Sequence, residues 1–295
     1  MTEVKKVKFQ ERNIKIMKDL SNENVIHIVK DGVQYLQFRR LLEYSDILVH
    51  AYSLGIDKNF RTARAKTAEP ITKEEFKEAN KDYADLCNAI EMNYIDAVKP
   101  NQAHTKNVKK VDEHVNINKP DFNLKEYDLT DGLITNKSNI LLATTNADCI
   151  LLIFFDPVKK AIANVHSGWK GTLQRISVET VEKMRKEYGS NSKDIICCIC
   201  PSIRKCHFEV ENDVQTLFEN EFKDLKLDEI IERKSENKWL IDTVKINEEI
   251  LQKAGLKKEN IIDCGICSVC NSDLIHSYRV EKEKYGLSTA IIGLK

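Results

Sequence analysis

Residues 131–171, DGLITNKSNILLATTNADCILLIFFDPVKKAIANVHSGWKG, decide the fold. Short apolar runs separated by polar turns predict strands around Leu133, over Ile140–Thr145, over Ile150–Asp156 and, after the Asp156-Pro157 turn, over Ala161–Val165. Cys149 then opens one strand and His166 closes the next. An antiparallel hairpin returns both to the same sheet end. A thiolate and an imidazole there, with a second imidazole from a nearby loop, match the N/S ligand set of catalytic zinc sites, which keep three protein ligands and an open fourth position.

Downstream, Gly168-Trp169-Lys170-Gly171 is expected to be a turn leading into a helix over Leu173–Tyr188, with Ile176, Thr180, Val181 and Met184 on one side. Glycines before a helix N-terminus allow backbone to approach an anion such as phosphate. The alternative is that Gly168 and Gly171 only satisfy turn geometry. Upstream, ILVHAYSL from Ile47 reads as a strand, and the polar, basic stretch Gly55–Pro70, with Arg61, Arg64 and Lys66, as a loop. Thr72–Ile90 carries Phe76, Ala79, Tyr83, Leu86 and Ile90 at helical spacing behind a Thr72-x-x-Glu75 capping box. Short strands are expected at Ile95–Val98 and Val108–Val111, and the loop between them, KPNQAHTKN, holds Gln102 and His104. A histidine at a strand edge is ordinarily polar surface, so His104 becomes a third ligand only in that wider context. Residues 1–30 read as a peripheral extension or a small strand pair, and 31–295 as the main body.

A chain of 295 residues with 42% apolar content can bury a large core, which suits one large or two intimate domains. Lys+Arg and Asp+Glu each total 46, so no global field attracts nucleic acid or an acidic membrane. The N-terminal stretch lacks the apolar run of a secretory signal, and the longest apolar runs are strand-sized; a cytoplasmic protein is expected. Nine cysteines leave one unpaired in any disulfide scheme, and thiols in such a chain stay reduced, as core residues or ligands.

Several motifs in order carry a family resemblance: Gln102-x-His104, Asp131–Thr135 (DGLIT), Ala147-Asp148-Cys149, His166–Gly171 (HSGWKG), Pro201-Ser202-Ile203 with Phe208-Glu209-Val210, and Ser277-Tyr278-Arg279. Over roughly residues 47–294 the chain resembles the YfiH or laccase-domain family, whose members are named multicopper polyphenol oxidase or purine nucleoside phosphorylase. The resemblance implies a single α/β (α+β) domain, a mixed β-sheet sandwich flanked by helices, with His104, Cys149 and His166 as metal ligands. It implies zinc-dependent phosphorolysis of purine nucleosides to free base and ribose 1-phosphate, with adenosine deamination and methylthioadenosine phosphorolysis as related activities. The partners would then be a nucleoside and phosphate. Lys170 stands where the family usually has arginine, Ser167 where alanine is common and Cys200 where glycine precedes proline; Lys170 keeps the charge but not bidentate recognition. The early Arg-Gly-Gly element is absent, which weakens a substrate role for Arg61.

Other readings stay open beside this one. A His2Cys set also suits copper with an axial methionine, but none of Met17, Met92 or Met184 adjoins the ligands in sequence. Multicopper oxidation draws on many histidines in His-x-His pairs, whereas this chain has seven histidines and no such pair. Cys264-x-x-Cys267-x-x-Cys270 has the spacing that starts an iron–sulfur run, with Leu274 where the fourth cysteine would stand. A thiol from Cys197, Cys198, Cys200 or Cys206 could complete a cluster or a structural zinc, and otherwise these are buried small residues. Asp148 is a candidate general base or partner to a histidine, or a plain turn residue. Lys170, Arg279, Arg61 and Gln102 are candidate substrate contacts. Cys149 with His166 as base could act as a metal-free hydrolase, and a non-catalytic module stabilised by zinc is the remaining class.

Overall fold

A strand that is apolar along most of its length on both faces needs material packed on each of them, and the two halves of the quoted hairpin are largely of this kind. In a computed structural model that describes residues 18–61, 80–93, 97–112 and 127–295, every residue of both strands is buried. In chain order the strands are β1 Val25–Lys30, β2 Val33–Phe38, β3 Leu48–Leu54, β4 Ala97–Val98, β5 Val108–Lys110, β6 Gly132–Thr135, β7 Leu141–Asn146, β8 Ile150–Asp156, β9 Ala161–Ser167, β10 Ile196–Ile199, β11 Glu209–Val210, β12 Ile231–Ser235, β13 Lys238–Ile241, β14 Ile261–Asp263 and β15 Ser288–Leu294. The longer helices are α1 Lys81–Ala89, α2 Trp169–Leu173, α3 Ile176–Tyr188, α4 Asn212–Glu221 and α5 Thr243–Lys253. One six-stranded sheet runs β1-β2-β3-β15-β7-β4, a second runs β14-β10-β8-β9-β6-β5, and a small third sheet runs β11-β13-β12.

Alternation along β8 explains the layering. Leu151, Ile153 and Phe155 face the first sheet and share a core with Leu36, Tyr52, Leu142 and Ile292. Leu152 and Phe154 point the other way, into a core with Ile176, Val181 and Met184 of α3 and Val244 and Leu251 of α5. The outer face of the first sheet is covered by Tyr83, Leu86 and Cys87 of α1 over Val49, Ala51, Ala143 and Ile291. The result is a mixed-sheet sandwich between helices, because each strand residue has a buried destination on its own side.

Three boundaries bear on the sequence reading. β1 pairs with β2 along its full length across a tight turn in which Asp31 and Gly32 both adopt positive φ, 52° and 79°, as an Asp-Gly hairpin turn requires. β1 is thus an edge strand of the first sheet; residues 1–17 lie outside the described residues. The helix expected over Leu173–Tyr188 begins instead at Ile176, because Arg175, between α2 and α3, has φ 56°, and its guanidinium reaches Glu221 at 2.7 Å. Third, α1 covers the C-terminal half of the helix expected over Thr72–Ile90, and residues 72–79, with the Thr72/Glu75 capping box, lie outside the described residues.

Candidate metal centre

Strand register places the first two ligands. Leu151 of β8 stands opposite His166 of β9, and Ile150 opposite Ser167, so Cys149, one residue before β8, lies beside His166 at one sheet end. The turn that delivers Cys149 is clamped. Asn146 donates to the Cys149 carbonyl at 2.6 Å and to that of Pro201 at 3.0 Å, and Asp148 adopts φ 82°, a left-handed conformation an aspartate tolerates better than most residues.

The third ligand comes from the loop between β4 and β5, and a residue outside the expected catalytic set holds it there. Asp131, fully buried just before β6, accepts backbone N–H bonds from Ala103 (3.1 Å), His104 (3.0 Å) and Thr105 (2.7 Å) and the Thr105 hydroxyl at 2.8 Å. The same carboxylate receives His166 Nδ1 at 2.9 Å. One buried carboxylate thus orients one ligand and anchors the loop of another. Because Nδ1 is engaged, Nε2 is the nitrogen His166 has left for a metal, the carboxylate–histidine–metal arrangement of many metal centres. The only hint in the sequence was that this aspartate opens the DGLIT run.

His104, Cys149 and His166 present ligand atoms that all lie within 4.8 Å of one another. Cys149 Sγ is 3.9 Å from His104 Nε2, and the two imidazoles meet edge to face at 4.9 Å between centroids. Gly168 makes room for them. A methyl group there would come within 2.8 Å of His104 Cδ2 and 3.1 Å of Cys149 Sγ, and since Gly168 has φ −63° the glycine is needed for space rather than for backbone freedom. The His2Cys donor set and this cleared volume fit a metal ion with a vacancy in its coordination.

Charge couples these groups to one another. Burial pushes the Cys149 thiol up, but His166 and His104 outweigh it and bring the thiol down to about 6. Burial pushes His166 down, and the neighbouring Cys149 and Asp131 reverse this, raising it to about 9. Burial likewise raises Asp131, which the His166 contact and the Thr105 N–H nevertheless hold at about 2. A thiolate, the ligand form of cysteine, is stable here near neutrality.

The three ligands stand in the wall of a cleft of about 1420 Å³ that also exposes Asn146, Trp169, Phe208, Tyr278 and Tyr285. The other expected site residues are distributed unevenly around it. Gln102 lines the cleft, but its amide bonds the Thr145 backbone in both directions, at 2.7 Å and 2.8 Å, which makes it a tie between the His104 loop and β7. Asp148 also lines the cleft, yet its carboxylate takes the Ser268 hydroxyl at 2.6 Å and the Arg279 backbone N–H at 2.7 Å; the histidine-partner role belongs to Asp131 instead. Arg279 and Arg61 are in the lining, Arg279 on the Glu209 carbonyl at 3.2 Å and Arg61 over the Tyr285 ring at 4.6 Å. Lys170 is exposed, with its ammonium 5.4 Å over Trp169; Trp169 rather than Lys170 faces the cleft. The Gly168–Gly171 segment is no free turn but the start of α2, only five residues long, so the extended helix expected to face an anion begins later, at Ile176.

The expected Cys264-Cys267-Cys270 run is not one unit. Cys264 is buried, with its sulfur 3.7 Å from Arg204 Nη2, while Cys197, Cys198 and Cys200 are core residues. Among the described residues no helix is long and apolar enough to cross a membrane.

Fold and site together define a sheet-sandwich protein with a cluster of two histidines and a cysteine that could hold a metal ion in an open cleft. Residues 71–295 match the family described as multi-copper polyphenol oxidoreductase laccase. The purine nucleoside phosphorylase YlmD of Bacillus subtilis strain 168 is 34% identical over 166 residues, which is 56% of this chain and 59% of that protein. The human purine nucleoside phosphorylase LACC1 is 31% identical over 175 residues, 58% of this chain and 40% of that protein. The chain thus spans about half the length of these curated relatives. The crystal structure of the Bacillus licheniformis hypothetical protein YfiH superimposes with a TM-score of 0.75 at 23% identity, over 91% of this chain and 99% of that one. This chain belongs to the multi-copper polyphenol oxidoreductase laccase family, the YfiH or laccase-domain family.

Proposed function

We propose that this chain is a zinc-dependent purine nucleoside phosphorylase. Phosphate oxygen forms a bond to the ribose C1′, the glycosidic C–N bond breaks, and the purine leaves with a proton on its ring nitrogen. The observation that carries the reading is the His104/Cys149/His166 set, oriented by Asp131, facing a cleft large enough for nucleoside and phosphate together. Two of the relatives carry the same activity in their names. Zinc held by these three side chains would supply positive charge at the departing base or polarise a fourth ligand. Asp131 keeps His166 in the ligating orientation, and the His104 loop hangs on the same carboxylate. Trp169, Phe208, Tyr278 and Tyr285 offer aromatic faces for a purine, and Arg279 and Arg61 offer cations for phosphate. Adenosine deamination and methylthioadenosine phosphorolysis would use the same pocket.

The copper-oxidase description of the family fits this chain less well, since seven histidines without a His-x-His pair are a poor supply for several coppers. Zinc-replete protein should be incubated with adenosine, inosine, guanosine and methylthioadenosine, with and without phosphate, and the products separated by chromatography. Phosphate-dependent release of free base is expected; neither free base nor inosine from any nucleoside would overturn the reading.

A second reading has its own observation. Cys149, His166 and Asp131 also form a nucleophile, base and orienting acid, with the thiol down at about 6. His104 at 3.9 Å from the sulfur is superfluous to a hydrolase and useful to a metal. If the metal reading holds, zinc protects Cys149 from iodoacetamide; a hydrolase would be labelled at the same rate with zinc present.

A further inference from the structure

We propose that Cys206, His207, Cys267 and Cys270 form a second metal centre, a closed four-ligand site for a zinc ion. Their ligand atoms also lie within 4.8 Å of one another, and all three sulfurs converge on a single imidazole nitrogen. His207 Nδ1 is 3.1 Å from Cys206 Sγ, 3.6 Å from Cys267 Sγ and 3.6 Å from Cys270 Sγ. Cys206 Sγ and Cys267 Sγ are 3.7 Å apart. Tetrahedral zinc with bonds of about 2.3 Å to sulfur and about 2.0–2.1 Å to nitrogen sets its ligands roughly 3.8 Å apart for S···S and roughly 3.6 Å for N···S. The Cys206–Cys267 separation and the distances from His207 Nδ1 to Cys267 and Cys270 match those values, and the Cys206–His207 contact is about half an ångström shorter.

Two loops are pre-set to meet there. Cys206 and His207 lie in a turn closed by the His207 N–H on the Arg204 carbonyl at 2.8 Å. Cys267 and Cys270 are the ends of a Cys-x-x-Cys turn, in which Asn271 donates to the Cys267 carbonyl at 2.8 Å. The segments leading into them are zipped together, Ser268 N–H donating to the Ser202 carbonyl at 3.0 Å and Ser202 N–H to that of Ile266 at 3.3 Å. Arg204 braces the join by donating to the Ile266 carbonyl at 3.3 Å and to Asp263 at 2.7 Å. A disulfide between two of the thiols would leave the third cysteine and His207 with no reason to converge. An iron–sulfur cluster would interpose several metal atoms and hold the sulfurs further apart. Three thiolates and one imidazole at single-ion spacing suit a structural zinc, with no position left for substrate. Cys206 and Cys270 are exposed, so the ion can load from solvent after folding.

The test uses the full-length chain, purified under reducing conditions without chelators, with metal counted by mass spectrometry. Wild type is expected to hold two zinc ions per chain, C149A one, C270S one and the double variant none. Cobalt substitution adds a spectroscopic readout: cobalt-loaded C149A should keep the strong sulfur-to-metal charge-transfer absorption of a three-thiolate site, and cobalt-loaded C270S should lose most of it. Should C270S fail to fold, wild type answers alone, because zinc should protect Cys206, Cys267 and Cys270 from iodoacetamide in peptide mapping. A single zinc that C270S retains and C149A removes would overturn the proposal. So would stoichiometric iron with acid-labile sulfide, or a disulfide among these cysteines in the reduced preparation.

Discussion

The two Cys/His clusters of this protein are built from similar donors and differ in what surrounds them. His104, Cys149 and His166 number three, stand in the wall of a deep cleft and depend on a buried carboxylate for orientation. Cys206, His207, Cys267 and Cys270 number four, lie across two tight turns, and two of the cysteines are exposed. An incomplete ligand set placed over a cavity leaves a coordination position for chemistry, whereas a complete set spends every position on holding loops together. The number of ligands and the presence of an outer carboxylate therefore separate a working centre from a staple, and each of these can be removed singly.

The largest effect is expected from Cys149→Ala. It removes the one thiolate of the cleft centre, so the proposed phosphorolysis should fall by at least roughly a thousandfold, beyond the 10- to 100-fold typical for loss of an outer-shell partner. Folding should survive, since the hairpin behind it is held by the β8–β9 ladder. Steady-state kinetics with circular dichroism checks this. Loss of the fold together with the activity would move the cleft centre into the structural class.

Asp131→Asn comes next. The amide preserves shape but loses the charge that faces His166 and three backbone N–H groups. A fall of about 10- to 100-fold in zinc affinity or kcat/KM is expected, measured by competition with a chromogenic chelator. Unchanged affinity would show that the β8–β9 register alone orients His166.

How much of this was legible beforehand divides along the same line. The hairpin and the Cys149/His166 pair could be read because short apolar runs and hairpin geometry are local in sequence, whereas the helix-flanked sandwich came only with the family resemblance. Asp131 could not, since its role arises from three segments that meet only when β6 pairs with β9 and the 100–107 loop folds over them. The second cluster was half visible: Cys267-x-x-Cys270 has a recognisable spacing, but Cys264 shares that spacing and turns into the core, and Cys206 and His207 lie about sixty residues away from Cys267 and Cys270. The position of Lys170 was not legible either, since Arg175 separates α2 from α3 and the short α2 turns Trp169 rather than Lys170 toward the cleft.

His50 sharpens the contrast from the other side, being a buried histidine with no carboxylate partner. It accepts the Phe38 N–H at 2.7 Å, and burial pushes it down to about 3. A depressed folded value means that the unfolded chain takes up a proton first as pH falls. The stability associated with neutral His50 is thus complete above about 6.5 and drains away below it, about 2 kcal/mol by pH 5. Urea unfolding at pH 7.5 and pH 5 should show that loss, and His50→Gln should flatten it; an equal loss in the variant would place the acid sensitivity elsewhere.

A smaller effect is expected from Gly168→Ala. The added methyl meets His104 Cδ2 at 2.8 Å and the Cys149 sulfur at 3.1 Å, and overpacking of this kind costs about 1–3 kcal/mol. Because the strained atoms are the ligands themselves, the cost should fall on metal affinity and activity, about tenfold, while thermal stability changes little. Reduced stability with intact zinc binding would mean that the ligands yield without losing their geometry.

The smallest expected effect lies where the two centres touch. Ser268 sits inside the Cys267–Cys270 turn, and its hydroxyl donates at 2.6 Å to Asp148, whose backbone leads directly into Cys149 and whose other oxygen holds the Arg279 N–H. Removing that hydroxyl leaves a buried carboxylate oxygen short of a partner, a penalty of about 1 kcal/mol or somewhat more. Ser268→Ala should therefore lower kcat/KM about fivefold with both zinc ions retained. The comparison with C270S then decides what the closed centre does for the open one. If it serves by fixing Ser268, C270S should lower kcat/KM by at least as much as Ser268→Ala, and adding Ser268→Ala to C270S should change little more, since both act on one link. Full additivity of the two variants would make the closed centre a local staple with no mechanical reach to Cys149.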